Sequence, residues 1–205
     1  MWNALRQEMG SGTILGYFLQ AVPVALVVGI GYAVFRFLYV KRRRRPIQWP
    51  SEVMGLLFVC YLAGLCSLVI LPANFWLHVY DGIFLGWWGE LGPVFRLGEV
   101  NLVPVLVRYL RGEVTLGSWV KEMLVGNLAM FVPLGFFLPF LTERLKRRQS
   151  FLIAAAVPLL AESLQLFFGR SFDIDDLICN CLGIVIGLLI AWPVQLAVRR
   201  RAKSR

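Results

Sequence analysis

Between Ala161 and Gly187 the chain reads AESLQLFFGRSFDIDDLICNCLGIVIG. It places four of its twelve acidic residues there: Glu162, Asp173, Asp175 and Asp176. Gln165, Arg170 and Asn180 complete the polar set. Two chemistries suit these residue types. Carboxylates and amides together can bind an amphiphile or a lipid headgroup, with the carboxylates meeting cationic amines. Alternatively, Glu162 and Asp176 can serve as a general acid/base pair while Arg170 holds a phosphate, since enzymes tune buried carboxyl groups for proton transfer. No nucleophile–histidine pairing and no phosphate loop accompanies them. The single histidine, His78, sits among aromatic residues and reads as packing. The four cysteines lack zinc-site spacing and read as small buried apolar residues, so no metal and no cofactor is expected.

The surroundings make these carboxylates expensive. The chain has 205 residues, 59% hydrophobic content, only 16% charged residues and a mean hydropathy of +0.70. That composition belongs to a polytopic membrane protein. A carboxylate at a helix centre in lipid costs about 2.5–3.5 kcal/mol on insertion scales. The net charge of +9 does not mark a nucleic-acid partner. Fourteen of the 21 Lys and Arg fall in clusters at 41–45, 144–148 and 199–205, each following or separating apolar runs. This is the positive-inside pattern.

The elements that must position the polar set follow from those runs. Five apolar stretches, near 13–40, 51–71, 121–141, 151–168 and 173–198, are each about long enough for a bilayer. The fold class is therefore all-α, with five transmembrane helices. The basic clusters put the amino terminus outside and the tail in the cytoplasm. Arg36, near the end of the first span, can snorkel toward the basic run Lys41–Arg45. Residues 1–12 read as a short polar lead. The connection 73–120 is near neutral and rich in interfacial aromatics: Trp76, Tyr80, Phe84, Trp87 and Trp88. Residues 100–110 are too short to span and read as an interfacial or re-entrant segment. The chain divides into an amino-terminal part (1–98), a core (99–198) and a basic tail (199–205).

Helical rise then sets depth. Counted from the outer ends of their spans, Asn127, Glu162 and Asn180 each lie about 9 Å in. Gln165 shares a face with Glu162, and Asn180 with Asp176. Gly183 and Gly187 continue the Asp176 stripe and permit another helix to approach closely. Pro133 and Pro158 loosen the backbone hydrogen bonding near this layer. The spacing predicts an outward-facing polar pocket lined by Asn127, Glu162, Gln165, Asp176 and Asn180, with Asn101 as its lid. Structural roles stand beside this reading. Asp173 suits a helix N-cap, with Asp175 and Asp176 in the first turn complementing the helix dipole. Arg170 can pair with one of these aspartates. Asn127 and Asn180 can be interhelical hydrogen-bond partners.

At these positions the chain resembles the VanZ-like family of bacterial membrane proteins. The matching pieces are NLVP at 101–104, GNLAMFVPLGFFLP at 126–139, Glu162 with Gln165, GRSFDIDD at 169–176, and Asn180, Gly183 and Gly187. They span about residues 100–190, and the first two spans carry no such signature. The resemblance implies an integral membrane protein linked to tolerance of teicoplanin and other lipid-tailed glycopeptides, without remodelling of their target. It assigns no role to any residue. The expected partners are membrane lipids and a lipid-linked or glycopeptide amphiphile. Three readings stay open: a binding protein of the envelope, an intramembrane enzyme acting on a lipid-linked substrate, and a small transporter. The last is disfavoured by the lack of an internal repeat.

Overall fold

The computed structural model describes residues 2–44, 46–115, 117–141 and 147–203. Arg45, residues 144–146 of the second basic cluster and the last two residues of the tail lie outside the described residues. The protein is all-α, and among the described residues five helices are long and apolar enough to cross a membrane. In chain order these are α2 (Ile14–Arg43), α3 (Trp49–Val69), α6 (Ser118–Leu141), α7 (Arg147–Phe167) and α8 (Ile174–Lys203). Their apolar segments match the five expected spans to within a few residues, the ordinary uncertainty of helix ends. Local chemistry sets several boundaries. Thr13 caps α2 by accepting a hydrogen bond from the Gly16 N–H at 3.1 Å. Lys41, Arg42 and Arg43 close its last turn, where cations complement the dipole. Pro50 occupies the first turn of α3, where its missing N–H costs nothing.

Shorter elements fill the regions read as lead and connection. Residues 2–9 form a helix, α1 (Trp2–Met9), not merely a polar lead. It is tied down by the Arg6 Nε hydrogen bond to Asp81 Oδ1 at 2.7 Å. The connection 73–120 contains α4 (Phe75–Leu85), a 3-10 turn at Trp88–Leu91, a two-residue strand β1 (Val100–Asn101) and α5 (Val105–Leu110). The segment 100–110 is thus a strand and a one-and-a-half-turn helix, divided at Pro104. β1 pairs in parallel with β2 (Phe172–Asp173), matching Val100 to Phe172 and Asn101 to Asp173.

The chain forms two compact units. One comprises Met1–Leu97 with Phe168–Arg170, the other Gly98–Phe167 with Ser171–Arg205. In the first, α2 packs on α3, with Gly29 against the Cys60 thiol and Gly55 against the Tyr32 hydroxyl. Arg36 does not snorkel along α2. It meets Glu52 of α3 through paired bonds of 2.8 and 2.5 Å, because the hairpin brings a carboxylate closer than the helix end. In the second unit α6 and α8 pack backbone to backbone. A Cβ on Gly135 would collide with the Ile184 carbonyl, and one on Gly187 with the Val132 carbonyl. Phe131, Ile184, Leu188 and Ala191 fill this seam and are at most 1% exposed. The Gly183–Gly187 stripe thus has α6 as its partner helix. The cysteines are all free, and none is fully buried. Cys66 is exposed, since its position on α3 faces away from the packing.

Candidate functional site: the polar cluster of the second unit

The site is built from the ends of several elements. On α7, Glu162 and Gln165 lie one turn apart, and both are enclosed, at 0% and 2% exposure. Glu162 Oε1 accepts a hydrogen bond from Asn180 Nδ2 of α8 at 3.3 Å. Its Oε2 accepts from the Asp173 backbone N–H at 3.2 Å. One side chain thereby joins the second turn of α8 to the residue that precedes the helix. Asn180 is 2% exposed. Among the described residues, its Oδ1 and the Oε1 of Gln165 are buried without a hydrogen-bond partner. Native structures carry few such atoms, because each forfeits about 1–3 kcal/mol of solvation.

The start of α8 is organised by three carboxylates, Asp173, Asp175 and Asp176. Asp173 is the expected N-cap: its Oδ1 accepts from the Asp175 N–H at 2.9 Å. Its Oδ2 accepts from Asn101 Nδ2 at 2.8 Å, a contact that the β1–β2 register makes possible. Asp175 Oδ2 accepts from the Val105 N–H at 2.7 Å. That N–H opens α5, whose preceding residue is Pro104 and offers no capping side chain. Asp176 Oδ1 accepts from Asn127 Nδ2 of α6. Asn101, Asn127, Asp173, Asp175 and Asp176 are half-buried. The cluster therefore joins three enclosed residues, Glu162, Gln165 and Asn180, to five half-buried ones.

Most of the polar residues singled out by spacing do come together here: Asn101, Asn127, Glu162, Gln165, Asp173, Asp176 and Asn180 all belong to the second unit. Asn101 is tethered to Asp173 and also accepts from the Val103 N–H at 3.4 Å. Asp175, which suits the first turn of α8 as a dipole partner, also holds α5 through the Val105 N–H. The signal for that role was a bare N–H following Pro104, which local spacing does not connect to residue 175. Arg170 belongs to the first unit. There its Nη1 donates to the carbonyls of Leu68 and Val69, both at 2.8 Å, and of Leu71 at 3.3 Å. It thus serves the carboxyl end of α3, where orphan carbonyls and the dipole favour a cation. His78 lies on α4 in the first unit. Among the described residues, no group of three His, Cys, Asp or Glu side chains converges as metal ligands would.

As chemistry, the cluster gathers carboxylates and amides and holds two buried amide oxygens, Gln165 Oε1 and Asn180 Oδ1, without a hydrogen-bond partner among the described residues. Such a group suits a ligand rich in N–H or O–H donors, or a proton. No curated protein and no solved structure matches the chain. The family model for VanZ/LLP1 matches residues 58–197. That match begins near the middle of α3, well before the motif residues at 101–190, and it takes in every residue of the cluster. Covering more than half of the sequence, it establishes that this chain belongs to the VanZ/LLP1 family.

Proposed function

We propose that this protein acts in the bacterial cell envelope, where its polar cluster binds the headgroup of a lipid or lipid-tailed amphiphile. The orientation that goes with this reading has the amino terminus outside, the tail in the cytoplasm and the cluster near the outer face, as the basic runs suggest. Teicoplanin and other lipid-tailed glycopeptides carry both an acyl chain and amines, so binding them would contribute to tolerance. The observation that carries the proposal is the pair of unpartnered amide oxygens beside Glu162. Buried Gln165 Oε1 and Asn180 Oδ1 lack partners among the described residues, and an ammonium or hydroxyl donor would satisfy them.

One observation favours a second reading, an intramembrane enzyme using Glu162 and Asp176 as acid and base. Glu162 is completely enclosed, and Asn180 is an amide. A half-turn of that amide would present Oδ1 to a protonated Glu162, so the pair can accommodate the carboxyl in either state. One comparison decides between the two. Wild type and Glu162→Gln are expressed in a glycopeptide-sensitive host, and lipid extracts are profiled beside susceptibility to teicoplanin. Altered susceptibility with an unchanged lipid profile supports binding. A lipid species that appears with wild type and vanishes with Glu162→Gln supports catalysis. Wild type and variant alike in both assays would remove the cluster from function.

A further inference from the structure

The α2–α3 hairpin holds a second polar site, within the first unit and before the family match begins at residue 58. Where α2 ends and α3 starts, a cavity of about 190 Å³ is lined by Arg36, Tyr39, Gln48, Ser51 and Glu52. Pockets for drug-sized ligands run to roughly 300–1,000 Å³, so this one suits a smaller group.

The lining is rich in free donors. Arg36 uses Nε and Nη2 on the two oxygens of Glu52, which fixes the guanidinium plane and neutralises the carboxylate. Among the described residues its Nη1 edge makes no hydrogen bond, and the side chain is 34% exposed. The Tyr39 ring lies 5.6 Å from the Arg36 guanidinium and 5.8 Å from that of Arg43, so one ring steadies two cations. Gln48 stands at the N-cap of α3 without making a side-chain cap bond. Gln48 and Ser51 are both exposed. Lys41, Arg42, Arg43 and Arg44, which follow Val40 in the chain, are exposed as well. The Arg36–Glu52 pair is neutral overall, so positive charge comes from this basic run, while the cavity contributes N–H and O–H donors. Val40 and Pro46 complete the lining, and Trp49, next to Gln48 in the chain, is 69% exposed.

We infer that this cavity binds the phosphate of an anionic phospholipid, with the acyl chains lying along the exposed apolar side chains of α2 and α3. Basic pockets at the ends of membrane helices are the recurring solution for such headgroups. The exposed apolar side chains of α2 and α3, Trp49 next to Gln48 among them, distinguish a lipid from free phosphate, which would gain nothing from them.

The test uses the full-length protein in detergent, titrated with phosphatidylglycerol or phosphatidylcholine and read by native mass spectrometry. Phosphatidylglycerol is expected to be retained in preference to phosphatidylcholine. Gln48→Ala with Ser51→Ala removes two exposed donors and leaves the Arg36–Glu52 pair intact. This variant should bind phosphatidylglycerol about fivefold more weakly, the equivalent of roughly 1 kcal/mol of hydrogen bonding. Circular dichroism and size-exclusion chromatography check that it remains folded. Equal retention of the two lipids overturns the inference. So does displacement of phosphatidylglycerol by inorganic phosphate, which would make this a soluble-phosphate site. An unchanged affinity in the Gln48/Ser51 variant, with loss only on Lys41→Gln and Arg42→Gln, also overturns it in favour of diffuse attraction to the basic run.

Discussion

The two units solve the same problem, a carboxylate out of water, in different ways. In the first, the partner is a cation: Asp81 meets Arg6, and Glu52 meets Arg36. In the second, the cluster carboxylates are met by dipoles. Asp176 takes the Asn127 amide, Glu162 the Asn180 amide and a backbone N–H, and Asp175 the Val105 N–H. Ion pairs in the second unit, Arg108 and Arg111 with Glu113, are exposed and loose at 3.9 Å. The distinction matters because a cation fixes charge as well as position, and losing one partner leaves the other uncompensated. Dipolar partners fix position without adding a charge of their own. The ion pairs of the first unit thus tie α1 to α4 and α2 to α3, while amides and N–H groups hold the carboxylates of the second in place.

That contrast can be broken experimentally. The largest effect is expected from the seam that brings the dipolar partners together. Gly187→Leu should separate α6 from α8 and cost about 3 kcal/mol or more, because its Cβ meets the Val132 carbonyl backbone. Gly31→Leu, with open space around its Cβ, should leave the folded protein intact in the same size-exclusion assay. Next, Arg6→Met should lower the thermal midpoint by several degrees, because Asp81 is buried at 0% exposure. Adding Asp81→Asn should recover most of that loss. Failure of the rescue would show that the cation serves packing rather than charge. Removing a dipole should cost less. Asn127→Ala is expected to lose about 0.6–1.7 kcal/mol, the range for interhelical hydrogen bonds in membranes, measured by unfolding in mixed micelles. A loss as large as that from Arg6→Met would erase the distinction between the units.

The smallest effect concerns pH. Tyr80 donates its hydroxyl to the Gln20 carbonyl at 2.8 Å, and burial pushes its phenol up to about 12 from an ordinary 10.0. The folded state therefore holds that proton more tightly than the unfolded chain. Its contribution is present below pH ~10 and is lost as pH rises toward ~12. Tyr80→Phe should flatten this part of the alkaline stability curve, followed by far-UV circular dichroism. The change is modest because the ring is only half-buried.

The spans, the Asp173 cap and the glycine stripe were all legible in the sequence, because each depends on neighbours within one helix or its ends. The convergence of Asn127, Glu162 and Asn180 was approached through equal helical depth, and the hydrogen bonds linking α6, α7 and α8 agree with it. The enclosure of Glu162, Gln165 and Asn180 was not legible. It arises because α6 and α8 close on each other through Gly135, Gly183 and Gly187, and because Asn180 and the Asp173 N–H draw α7 in. The Arg6–Asp81 pair joins residues 75 apart in the chain, and Arg170 reaches carbonyls about a hundred residues earlier. No periodicity connects such positions.

Hydropathy and run length alone determined that this chain crosses a membrane with five helices, because lipid requires every buried backbone group to be satisfied within its own helix. Local capping chemistry fixed where several of those helices begin. Which carboxylate meets a cation, as Asp81 and Glu52 do, and which meets an amide or a backbone N–H, as Glu162, Asp175 and Asp176 do, was decided by tertiary packing. A carboxylate takes the partner that the approach of another helix brings within about 3 Å, whatever its distance along the chain.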